Sequence, residues 1–160
     1  MEANLVTNLE KLVTAFRRAL DKAHSSGDFI HDPAFWNFPN GCCGDTCVLL
    51  GEYLYTHGIE TDFVCGTWYG PNYRHQTHVW LVTKENLIID ITGDQFKDQT
   101  TFNNFDEPVY VGPSNSFYNL FSERNSQKCE RLHIYSRGSF EPLRLPDLYD
   151  TVLNHMKSLR

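Results

Sequence analysis

Three residues in this sequence have the types and the order that covalent chemistry on a carbonyl requires. They are Cys43 in Gly41-Cys42-Cys43-Gly44-Asp45, His78 in Gln76-Thr77-His78-Val79-Trp80, and Asp90 in Ile88-Ile89-Asp90-Ile91-Thr92. A cysteine attacks as thiolate, and a free thiol, with a pKa of about 8.5, is mostly protonated at neutral pH. A helix N-terminus favours the thiolate, because unpaired backbone N–H groups and the positive end of the helix dipole lie there. A histidine can then hold and return the proton, and a carboxylate can fix the tautomer and orientation of the imidazole.

Each member has a plainer reading. Cysteine is among the most often buried residues and can serve as a small apolar filler. A lone histidine in an apolar strand is commonly a packed or surface residue. The aspartate is harder to set aside, because a charge amid isoleucines needs a partner. The three together, in this order, favour chemistry. Cys47 falls one helical turn beyond Cys43 on the same face, and Cys47 and Cys65 read as core thiols. Adjacent cysteines without a second Cys-x-x-Cys pair fit structural zinc poorly. No metal and no cofactor is expected.

The elements that must position these residues follow from periodicity. After Pro39-Asn40-Gly41, the residues Leu49, Leu50, Tyr53 and Leu54 recur at three- and four-residue steps, so a helix begins at the cysteines. His57-Gly58 closes it, with glycine free to take the left-handed conformation. Strands are predicted over 61–68, 77–83 and 86–92, with a turn at Tyr69-Gly70-Pro71-Asn72 and a polar reversal at Lys84-Glu85-Asn86. That reversal brings residues near 80 across from residues near 90, so His78 and Asp90 can meet on one face. An amphipathic helix over about 3–24 carries Leu5, Leu9, Leu12, Phe16 and Leu20 on one side. Shorter strands are predicted at 109–111 and 131–135, and 96–107 reads as polar and irregular. Phe117-Tyr118-Asn119-Leu120-Phe121 reads as a helical turn or a loop. A last helix over 147–159 has Leu148, Val152, Met156 and Leu159 at helical spacing. The class is α+β, and 1–160 reads as one domain.

Composition narrows the function. With 160 residues, 41% hydrophobic and 14% aromatic, the chain can bury a core. A net charge of −6 argues against a nucleic-acid surface. No apolar run reaches the ~18 residues of a membrane span. The N-terminal segment carries an early glutamate and recurrent charges, unlike a secretory signal. Five cysteines, three of them crowded together, are not a disulfide framework and suit a reducing cytoplasm.

The spacing Gly41-x-Cys43-x-Asp45-x-Cys47, followed by Gly58-Ile59, Val64 and Gly66, resembles the core motif of the transglutaminase-like superfamily, whose arrangement is papain-like. His78-Val79-Trp80 resembles that family's His-Ala-Trp, and Ile89-Asp90-Ile91-Thr92 its Asp-Pro-Thr. The likeness covers about residues 38–96. It departs at Cys47, where the family usually has a small residue such as alanine, and at Ile91, which stands in place of proline. The resemblance implies a nucleophile helix packed on an antiparallel sheet, with Cys43 as nucleophile, His78 as base and acid, and Asp90 as orienter. It also selects Cys43 over Cys42, since the distance to Gly58-Ile59 fits from there.

The expected activity is acyl transfer on an amide or peptide carbonyl through a thioester, of protease, amidase or transglutaminase type. The expected substrate is a peptide or protein segment. The oxyanion donors would be the Cys43 N–H and a side chain of the preceding loop. Papain-like relatives carry a glutamine there, whereas this loop offers Asn37 or Trp36. Gln95 is a further polar candidate beside the site, and Trp36 and Trp68, with Phe35, Tyr69 and Tyr73, would line the cleft. The alternatives are a binding module with the same fold and no turnover, and an acetyltransferase of the arylamine acetyltransferase type. Oligomeric state is not legible.

Overall fold

Leu9, Val13, Phe16 and Leu20 recur at helical spacing and are all buried, which makes them the inner stripe of α1, Glu2–Ser25. Gly27, at φ 83°, takes the left-handed conformation that lets the chain leave this helix. The structure, a computed structural model, describes residues 2–133 and 143–159. Two further helices follow, α2 at Cys43–Thr56 and α3 at Arg144–Ser158. At the end of α2, Gly58 is left-handed at φ 77°, and the Ile59 N–H turns back to the Leu54 carbonyl at 3.0 Å.

The strands are β1 Thr61–Tyr69, β2 His75–Thr83, β3 Ile88–Asp90, β4 Tyr110–Gly112 and β5 Glu123–Lys128. They form one antiparallel sheet in the order β4-β3-β2-β1-β5. The long β1–β2 hairpin pairs Thr61 with Thr83 and Tyr69 with His75. Leu81 pairs with Ile89 and Val82 with Ile88, so Trp80 and Asp90 come next in register. The architecture is therefore α+β.

Both faces of the sheet are covered, and the two-residue alternation of strands separates them. Val79, Leu81 and Ile89 join the core made with the helices. Val64, Trp80 and Ile88 join a second core with Phe96, Phe102, Phe117, Tyr118 and Phe121. This second core changes the reading of 96–107. Its polar residues do lie in short turns, Gly93–Phe96 and Thr100–Phe102, but Phe96 and Phe102 are fully buried. Hydrophobic periodicity misses such a lid, because single aromatics anchor it at no regular spacing.

Four further elements differ from expectation. Residues 131–133 are not a strand; Leu132 and His133 lie in a short 3-10 turn, and residues 134 and 135 fall outside the described residues. The fifth strand is Glu123–Lys128, whose six exposed polar residues show no apolar alternation, so only its pairing with β1 reveals it. The third strand keeps only Ile88–Asp90 of 86–92, since Thr92 turns back on the Asp90 carboxylate. Tyr69 belongs to β1 and not to the turn after it. Among the described residues no helix is long and apolar enough to cross a membrane.

Gly66 marks where the second core presses on the sheet. A Cβ there would sit 2.7 Å from Phe121 Cβ and 2.8 Å from Trp80 Cζ3. Gly66→Ala is expected to lower stability by about 1–3 kcal/mol through overpacking, read as a shift of the urea midpoint with unchanged slope.

Candidate active site

The N-terminus of α2 is held by charge as well as by backbone. Cys43 is its first residue, and the Thr46 N–H bonds the Cys42 carbonyl at 2.9 Å. Arg144, at the start of α3, reaches Asp45 in that first turn at 2.9 Å and Asp32 in the preceding loop at 2.9 and 3.0 Å. Burial alone would raise the Asp32 carboxyl, but Arg144 and the N–H groups of Phe35 and Ala34 hold it below the usual carboxylate range. Phe35 and Phe38 of the same loop plug the helical core.

His78 and Asp90 are brought together by the β2–β3 register, both enclosed, at 0% and 1% exposure. Nε2 of His78 donates to Asp90 Oδ2 at 2.6 Å. Three more donors hold the carboxylate: the Thr92 N–H and hydroxyl on Oδ1 at 2.9 and 3.3 Å, and the Tyr118 hydroxyl on Oδ2 at 3.1 Å. The ring is boxed by Trp80, Phe96, Phe117 and Phe121, with centroids 5.0–6.0 Å away. Burial pulls the imidazole down, but Asp90, with a smaller contribution from Cys43, raises it to about 9. Burial pushes Asp90 up, and His78, Thr92 and Tyr118 together hold it below its ordinary value. Since Nε2 is taken by Asp90, Nδ1 is the ring nitrogen left for a further partner.

Four further thiols are present. Cys42 is buried, bonds the Pro39 carbonyl, and is pushed up to about 12, chiefly by burial. Cys47 is buried against β2, donating to the Val79 carbonyl at 3.6 Å, and burial raises it well above an ordinary thiol. Cys65 and Cys129 are raised by burial too.

Gln95 lies beside the imidazole, its Nε2 3.4 Å from His78 Nδ1. Asn37 is exposed in the 3-10 turn Phe35–Asn37, where its carbonyl accepts from Asn40. Trp36 is exposed in the same turn. Trp68 is half-buried, edge-on to Phe102 at 5.5 Å, and so belongs to the second core.

Two residues important to the geometry carried no sequence signal of their own. Tyr118 lies 28 residues beyond Asp90 in a segment without periodicity. Arg17 borders the apolar stripe of an amphipathic helix, and it is only 6% exposed. Its guanidinium binds both oxygens of Asp94 at 2.9 and 2.7 Å, the Ile91 carbonyl at 2.7 Å and the Pro108 carbonyl at 2.9 Å. It thereby clamps the turn that follows Asp90. Among the described residues no group of three or more His, Cys, Asp or Glu side chains is placed to hold a metal ion. Compared with family models, curated proteins and solved structures, the chain matches none.

A histidine raised in the folded state stabilises fully below its unfolded value and loses that contribution as pH rises through its folded one. For His78 the window runs from 6.5 to about 9. Urea unfolding across that window is expected to show a loss of roughly 3 kcal/mol, absent in Asp90→Asn. Tyr118→Phe removes a donor from a buried carboxylate and is expected to cost about 1–3 kcal/mol. In the same measurement Tyr73→Phe, at a fully exposed side chain, is expected to change nothing.

Proposed function

We propose that the protein is a cysteine-dependent acyl-transfer enzyme acting on an amide or peptide carbonyl. The observation that carries this reading is the fully buried, hydrogen-bonded His78–Asp90 pair, with half-buried Cys43 at the start of α2 close enough to act on the charge of the same imidazole. At the start of a helix, unpaired backbone N–H groups and the positive end of the dipole favour negative charge on a nucleophile. Asp90 cannot turn away, since Thr92 and Tyr118 hold its oxygens, so the imidazole keeps one orientation.

The reaction divides into two transfers. The Cys43 thiolate attacks the carbonyl carbon, a C–S bond forms, and the carbonyl electron pair moves to oxygen. Collapse of that intermediate breaks the C–N bond, and the leaving amine takes the proton from His78. Water or a second amine, deprotonated by His78, then attacks the thioester and releases the thiol. Whether water or an amine arrives decides between hydrolysis and transamidation.

The resemblance of the Cys43, His78 and Asp90 segments to the transglutaminase-like superfamily points the same way, and a papain-like core is the finer fold we assign. Exposed Trp36, Tyr69 and Tyr73 flank the site along the chain, which suits a peptide or protein substrate. All five cysteines are unpaired, in keeping with a reducing, cytoplasmic setting.

Iodoacetamide at neutral pH, followed by peptide mass mapping, tests the reading. Cys43 is expected to be alkylated well before Cys42, Cys47, Cys65 and Cys129, and more slowly in His78→Ala. Labelling of Cys43 no faster than of a free thiol would overturn it.

A further inference from the structure

Gln95 stands in the 3-10 turn Gly93–Phe96, five residues past Asp90 and half-buried. One atom of its carboxamide makes both of its contacts, 2.8 Å to the Thr92 carbonyl and 3.4 Å to His78 Nδ1. A carbonyl oxygen can only accept, so the atom facing both is the amide nitrogen and not Oε1. That nitrogen carries two hydrogens. Thr92 takes one, and the other is aimed at the space beside Nδ1. When the imidazole is charged, Nδ1 bears a hydrogen of its own and offers Gln95 no lone pair. The second N–H is then a donor without an acceptor, held beside Nδ1 of the imidazole.

The turn that carries it is fixed in advance. Arg17 holds Asp94 on one side of Gln95, and Phe96 is fully buried on the other. A donor that need not reorganise as charge develops contributes most to lowering a barrier. We propose that Gln95 donates its second amide N–H to the substrate's carbonyl oxygen as Cys43 attacks, stabilising the oxyanion. As the Sγ–C bond forms, the carbonyl electron pair settles on the oxygen that Gln95 faces. As the leaving group departs with the proton of His78, that pair returns to carbon. This assignment rests on the acyl-transfer reading above. It places the donor on the segment after Asp90, where Asn37 would place it before Cys43.

Two reagents separate the roles in the intact 160-residue chain. Iodoacetamide alkylates sulfur by displacing iodide from a saturated carbon and forms no oxyanion. 4-Nitrophenyl acetate acylates sulfur through a tetrahedral oxyanion. In Gln95→Ala the ratio of the acylation rate to the alkylation rate at Cys43 is expected to fall about 10²-fold. Gln95→Met, which keeps length and adds no charge, is expected to show the same fall. Equal changes in both rates, or no change in either, would overturn the assignment while leaving a reactive Cys43 in place. A wild-type Cys43 that alkylates no faster than a free thiol would instead remove the acyl-transfer reading, and this one with it.

Discussion

An ionised carboxylate shut away from water is the constraint on which this molecule turns. Asp90 is enclosed between the sheet and an aromatic lid, where an uncompensated charge would cost several kcal/mol. Its compensation comes from three separate parts of the chain: His78 on β2, the Thr92 N–H just beyond β3, and the Tyr118 hydroxyl from the lid. Sheet register, the turn at Thr92 and the docking of the lid must therefore all be right together.

The same constraint explains the second core. Antiparallel sheets often leave one face to water, and here that face bears His78 and Trp80. Phe96, Phe102, Phe117, Tyr118 and Phe121 close over it, lowering the local polarity and strengthening the His78–Asp90 interaction. Phe105 and Phe117 stack at 3.9 Å, tying the two halves of the lid to each other. Gly93 lets this happen at close quarters: a Cβ there would lie 3.1 Å from Asp90 Oδ2 and against the Phe105 ring. On the helical side, Arg17 reaches past the sheet edge to the turn after Asp90, and Arg144 joins α3 to the first turn of α2. Each arginine presents a fork of donors to a carboxylate, so the helices are keyed to the site as well as packed against it.

What could be read along the chain was local. The helix at Cys43 showed in the step of Leu49, Leu50, Tyr53 and Leu54, and its end in Gly58. The β2–β3 reversal showed in Lys84-Glu85-Asn86, where Asn86 does adopt a positive φ of 61°. From that turn alone the approach of His78 to Asp90 followed, because register in a hairpin is set by its loop. A strand was misplaced at 131–133 for a related reason: Leu132 is apolar because it packs on the helical core, whereas the edge strand β5 is polar throughout.

The sequence by itself thus determined the candidate chemistry: a thiol at a helix start, an imidazole and a carboxylate on neighbouring strands, all encoded by short-range periodicity and one tight turn. Only the tertiary structure decided that the carboxylate is shared with Tyr118, that Arg17 is a buried clamp, and that Gln95 turns its amide nitrogen toward the imidazole. Those relations span 17 to 77 residues. A side chain that meets its partner across such a distance leaves no periodic trace, because the contact depends on where several elements dock and not on the spacing within any one of them.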